Sequence, residues 1–185
     1  PVLQLQDALD QAGITAGEGN RSVAIFDDRI NQESEANGVA LEVNYNLGDA
    51  QLTSITAWRD WEIDEYNEAD QLSLSDFNNR NGTAAESEQV SQELRLFGNI
   101  NDSLSYVTGL FYFEEDVKAD GKVYVEIALP FPPFYNSINS AVRTADTKSF
   151  AAFGEVTWDV SEKFSLIVGA RYTDEEKEAT YNRMA

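Results

Sequence analysis

Three groups of side chains in this sequence are of types that do chemistry. Carboxylates run together at Asp64-Glu65, Glu114-Glu115-Asp116 and Asp174-Glu175-Glu176. Oxygen donors of this kind suit calcium, and two carboxylates at a fixed separation can cleave a glycosidic bond. None of these runs has the spacing of a calcium loop, and no feature sets two acids at a defined distance. Each run stands where an apolar stretch ends, so solvated charge accounts for it better. The second group is Arg59, Arg95 and Arg171, assigned to the mixed side of alternating stretches with Glu93 and Glu155. Cross-strand pairing explains such a set more readily than ligand contact. The third group is aromatic. It contains Trp58, Trp61 and the cluster Leu129-Pro130-Phe131-Pro132-Pro133-Phe134-Tyr135. Trp61, Phe131, Phe134 and Tyr135 are candidates for stacking on a sugar or an aromatic chelate.

Composition removes several classes of function. The 185 residues contain neither cysteine nor histidine. Thiolate catalysis, disulfides, Ser-His-Asp triads and the usual zinc sites are thereby excluded. No catalytic residue, metal site or cofactor is expected. With 13 Lys plus Arg against 33 Asp plus Glu, the formal charge is −20, which argues against nucleic acid as a partner. A hydrophobic content of 42% with 11% aromatics is ample for a folded domain. No apolar run approaches the roughly 20 residues that a membrane helix needs. Alternating strands average to weak hydropathy, so a membrane β-barrel stays open.

Period-two alternation organises everything from Gly38 onward. The clearest case is SFAAFGEVTWDVSEKFSLIVGARY, Ser149 to Tyr172. Phe150, Ala152, Gly154, Val156 and Trp158 share one face. Phe164, Leu166, Val168, Ala170 and Tyr172 share it across a turn at Ser161 to Lys163. An aromatic ends each apolar row and aliphatic or small residues fill it. Membrane interfaces favour that placing, while water does not. Three hairpins are expected, at about 38–64, 89–116 and 148–178, with long loops at 65–88 and 117–147. Short turns then fall at one end of the sheet and long loops at the other. Residues 1–37 read as a surface loop in which Leu5, Ala8, Leu9 and Ala12 mark a short helix over Leu3 to Gln11. Alternation alone does not orient the strand over 51–64; Trp58 outward and Arg59 inward is the preferred setting. The fold class expected is all-β, an antiparallel up-and-down meander of about six strands.

LTSITAWRDW (Leu52 to Trp61), SQELRLFG (Ser91 to Gly98), LSYVTGLFYFEE (Leu104 to Glu115) and the stretch Lys148 to Lys177 together resemble the barrel region of TonB-dependent outer-membrane receptors. The resemblance covers about Gly38 to Tyr181. It implies a bacterial outer-membrane location and energy-coupled uptake of a small-molecule ligand such as a siderophore or a sugar. It also implies outer-membrane lipid, the remainder of the barrel and a plug as partners, with TonB reached through that plug. Nothing in this sequence resembles the plug or its TonB-contact segment, so the chain reads as a wall fragment that would oligomerise if isolated. The competing reading is a soluble β-barrel or sandwich that closes on itself around a small apolar ligand. The two differ in what covers the row from Phe150 to Trp158: lipid in one case, a core in the other.

Overall fold

Each alternating stretch becomes a strand, and each strand finds its sequence neighbour. The computed structural model describes residues 30–69, 77–127 and 135–184. The helix expected over Leu3 to Gln11 lies outside them, as do Phe131 and Phe134. Six strands form one antiparallel sheet: β1 (Asn31–Asn46), β2 (Ala50–Glu68), β3 (Phe77–Asn101), β4 (Leu104–Ile127), β5 (Tyr135–Ser161) and β6 (Phe164–Met184). Their spatial order is their sequence order, which leaves β1 and β6 as edges. The expected meander is therefore the fold, and the sheet does not close on itself.

The connections at one end are tight, for local reasons. Gly48 takes φ 75° between β1 and β2, a conformation that costs glycine little. Between β3 and β4, Asn101 Oδ1 accepts from the backbone and the hydroxyl of Ser103, both at 3.0 Å, an Asx turn. This turn is short, because β3 continues to Asn101 through a register shift.

At the other end the expected boundaries need correction. Strand β2 runs to Glu68 and β3 begins at Phe77, inside the range 65–88 expected to be loop. Likewise β4 runs to Ile127 and β5 begins at Tyr135, inside 117–147. Strand β1 also starts seven residues before Gly38, at Asn31. These segments are rich in Asn, Asp, Ser and Glu, which favour loops in isolation. Pairing with a neighbouring strand overrides that local preference. Strand β5 holds 27 residues, about 90 Å at the usual rise per residue, where about 9–11 residues cross a bilayer.

Register assigns the two faces. Val39, Leu41, Val43 and Tyr45 of β1 lie opposite Trp58, Thr56, Ser54 and Leu52 of β2, so Trp58 belongs to the apolar face and Arg59 to the mixed one. The same face continues through Leu94 and Leu96, Leu104 to Tyr112, Phe150 to Trp158 and Phe164 to Tyr172. Tyr45, Tyr106, Trp158 and Phe164 mark its lower margin; Trp58, Tyr112, Phe150 and Tyr172 mark its upper margin. Nine residues run from Phe150 to Trp158 on β5 and from Phe164 to Tyr172 on β6, the length a transmembrane strand requires. Polar side chains in this band have partners within the sheet: Gln92 Nε2 donates to Ser54 Oγ at 3.0 Å, Thr56 Oγ1 donates to Gln92 Oε1 at 2.5 Å, and Thr108 Oγ1 donates to Phe153 O at 3.0 Å. Among the described residues Ala151 is the sole buried hydrophobic side chain, while Val168 is 63% and Tyr172 69% exposed. A self-closed soluble module would bury this row in a core; here it covers the outside of a single layer.

Past the upper aromatic margin the polarity of the two faces exchanges. The face that was apolar carries Asp60, Glu88, Asp116, Asp146 and Glu178, directly opposite one another from β2 to β6. Like charges placed opposite are destabilising, so this row needs water around it. The other face carries Val117, Ala119, Val123 and Val125 on β4, beside Ala85 on β3 and Ala141 and Ala145 on β5.

Two glycines admit rings from the neighbouring strand. A Cβ on Gly98 would stand 2.7 Å from Tyr106 Oη, and one on Gly109 would stand 2.5 Å from Phe153 Cζ and 2.7 Å from Leu94 O. At Gly121 nothing lies closer than 3.9 Å. Gly109→Ala is therefore expected to destabilise the sheet by about 1–3 kcal/mol, and Gly121→Ala to be near neutral. Urea midpoints of the two variants check the contrast.

Candidate functional site

The mixed face brings the sequence-derived candidates into two places. Arg59 and Trp61 alternate along β2 and line a cleft of about 770 Å³ with Gln89, Ser91 and Phe113. Arg95 and Arg171 share a second cavity, with Val107, Phe153, Glu155, Ile167 and Gly169. The register explains the second grouping, since Arg95, Gly109, Phe153 and Arg171 form one continuous cross-strand row. Tyr135 is the first residue of β5, paired with Ile127 at the far end of the sheet. The structure thus joins Arg95 to Arg171 and keeps Tyr135 away from both.

Within these places the arginines have different partners. Arg95 ion-pairs with Glu93 on its own strand. Arg171 places Cζ 5.7 Å from the centroid of Phe111 and 5.8 Å from that of Phe153, and its Nε donates to Thr173 Oγ1 at 3.1 Å. Cations over aromatic faces are attracted by the ring quadrupole. In the row of Arg59, Glu115 Oε1 accepts from Gln89 Nε2 at 2.6 Å and from Ser87 Oγ at 3.1 Å. Phe111, Phe153 and Gly109 were not singled out by spacing; aromatics on the mixed face of an alternating strand were the available signal. Among the described residues no group of carboxylates is arranged to hold a metal ion.

The upper margin of the apolar face has its own polar chemistry. Trp58 Nε1 donates to Glu88 Oε1 at 2.9 Å, and Tyr112 Oη donates to Glu114 Oε2 at 2.7 Å. Rings with an apolar body and a polar tip are suited to an interface. Nine-residue apolar rows, aromatic margins on both sides and short turns at one end are the anatomy of a membrane barrel wall. A family model for the TonB-dependent receptor-like β-barrel matches residues 3–184.

The chain belongs to that family. It also resembles the crystal structure of the ferric yersiniabactin uptake receptor FyuA from Yersinia pestis, with a TM-score of 0.62 at 16% identity. The match covers 82% of this chain and 22% of that one. At that identity the likeness concerns the fold. Comparison with curated proteins gave no match. TonB-dependent receptors are a receptor family and not a family of enzymes.

Just above the outer aromatic margin, Lys148 Nζ lies 3.1 Å from Glu114 Oε1. The Tyr112 hydroxyl and then Lys148 hold the Glu114 carboxyl below its ordinary value of 4.5. Hydrogen bonding to Glu114 raises Lys148 above 10.5. A depressed carboxylate adds stability above its unfolded pKa and loses it as pH falls through the folded value. A raised ammonium adds stability below its unfolded pKa and loses it as pH rises through the folded one. Coupling between Glu114→Gln and Lys148→Gln in a thermal double-mutant cycle is therefore expected at pH 7, and is expected to vanish at pH 2.

Proposed function

We propose that this chain forms part of the wall of an outer-membrane receptor that takes up a small-molecule ligand in a TonB-coupled cycle. The observation that carries this reading is the apolar face. It is one residue layer deep, bounded by aromatics above and below, and without a core beneath it. Hydrocarbon is the environment in which that face is stable. In this reading Arg59, Trp61, Arg95 and Arg171 face the lumen, where they meet the plug or the passing ligand. The tall hairpins project beyond the bilayer as a collar. Chemistry on the ligand forms no part of this role. Outer-membrane lipid, the remaining strands, the plug and TonB through the plug are its partners, and the location is the bacterial outer membrane.

The fragment on its own has an uncovered apolar face and two open edges. Exposed edges template pairing with other chains, and apolar patches of this size drive association. Light scattering on the isolated chain is expected to show oligomers or aggregates that mild detergent disperses. A folded monomer without detergent would sink the reading. In lipid vesicles, Val156→Arg on the outer face is expected to cost about 2–4 kcal/mol, while Thr157→Arg on the lumen side costs far less. Folding titrations in urea measure both.

A further inference from the structure

We propose that the cleft around Arg59 and Trp61 takes a ligand with an aromatic body and a single anionic group, of the chemical class of an arylcarboxylate. This inference rests on the receptor reading above and names the ligand class that the reading leaves open. The register builds the cleft from the mixed face. Trp61 stands in the row above Arg59, and Phe113 in the row below, reached across Ala57 and Ser91. Toward β1 the floor is Ala36, Gly38 and Ala40. Two rings and one cation thus surround a floor of small side chains, in a space of about 770 Å³.

The polar groups in this space select the ligand. Among the described residues nothing hydrogen-bonds or ion-pairs with Arg59, although β2 is paired on both sides, with β1 and with β3. Its partners in the row are Gly38, which has no side chain, and Gln89, whose Nε2 donates to Glu115 at 2.6 Å. Glu115 is the carboxylate of that row, and it also accepts from Ser87 Oγ at 3.1 Å. The guanidinium is therefore left to an anion from outside the sheet, and its planar fork matches a carboxylate. Trp61 and Phe113 suit an aromatic body. A sugar fits worse, because each buried hydroxyl needs a partner. The floor of Ala36, Gly38, Ala40 and Ala57 offers none from its side chains. A cationic ligand is repelled by Arg59. Height agrees with a ligand site. Trp61 lies three residues beyond Trp58, the ring that marks the upper margin, so the cleft stands at the mouth of the collar, while Arg95 and Arg171 lie deeper.

The test is equilibrium dialysis of the full-length receptor purified in detergent, with naphthoate, naphthylmethanol and maltose as probes. Wild type and variants are compared in the same detergent, so that uptake of the probes by micelles cancels. Naphthoate is expected to bind, and Arg59→Gln to weaken it about tenfold or more, the scale of one charge-assisted hydrogen bond. Arg59→Lys recovers part of that loss. Naphthylmethanol has the ring without the charge; it is expected to bind more weakly and to be indifferent to Arg59→Gln. Ala57→Leu fills the floor with Arg59 in place and weakens both aryl probes. Equal binding of naphthoate to wild type and Arg59→Gln overturns the proposal, and so does displacement of naphthoate by maltose. No binding at about 1 mM naphthoate also overturns it, the result expected if a neighbouring strand or another part of the receptor fills the cleft. Should Arg59→Gln fail to fold, Arg59→Lys and Ala57→Leu decide. Wild-type protein recovered from the outer membrane upholds the receptor reading whichever way the probes behave, and wild-type protein recovered from the soluble fraction sinks both.

Discussion

A backbone amide or carbonyl in hydrocarbon has no water to bond, and leaving it unpaired costs several kcal/mol. Every other feature of this wall follows from that constraint. It requires the unbroken ladders that join β1 through β6. It also requires β1 and β6 to find partners, because both are edges of the sheet. The chain corresponds to 22% of the matched receptor structure, and in the proposed reading those partners are the strands of the remaining wall. Side chains then adapt to a backbone already committed. Where polar groups do face lipid, as at Ser54, Thr56 and Gln92, they bond one another.

The exchange of polarity at the upper aromatic margin shows the sheet crossing from one solvent to another without a break in its hydrogen bonding. Below the margin the outside is aliphatic; above it the outside is acidic. Much of the formal charge of −20 stands on the outside of the collar, on residues such as Asp60, Glu88, Asp116, Asp146 and Glu178. The mixed face holds Arg59, Arg95, Arg143 and Arg171 among its fewer charges, with Arg143 stacked 5.6 Å from the ring of Tyr181. In the proposed reading, a ligand that enters the barrel meets a wall more neutral than the protein as a whole.

Much of this was legible in the sequence, because period two is a direct record of which solvent each face meets. The row from Phe150 to Trp158 and its partner from Phe164 to Tyr172 could be read from spacing alone. The orientation of 51–64 needed the register, since Leu52 to Trp58 and Ile55 to Ile63 are nearly equal in hydropathy. The tall hairpins were hidden for a different reason. Composition reports local preference, and the segments around Asn78 to Ser87 and Asp116 to Lys122 are extended by neighbours rather than by propensity. The arginine candidates were visible, but their inequality was not. What separates Arg171 from Arg95 is a glycine on β4 and a phenylalanine on β5, brought together only by the register.

Because spatial order equals sequence order, each strand among the described residues is hydrogen-bonded in the sheet only to the strands beside it in the chain. The hairpin is consequently the unit of construction. Adding or deleting one widens or narrows the circumference by two strands and leaves every other ladder and every turn at its own end. A wall made this way can change the bore it encloses without redesigning the way it is held together.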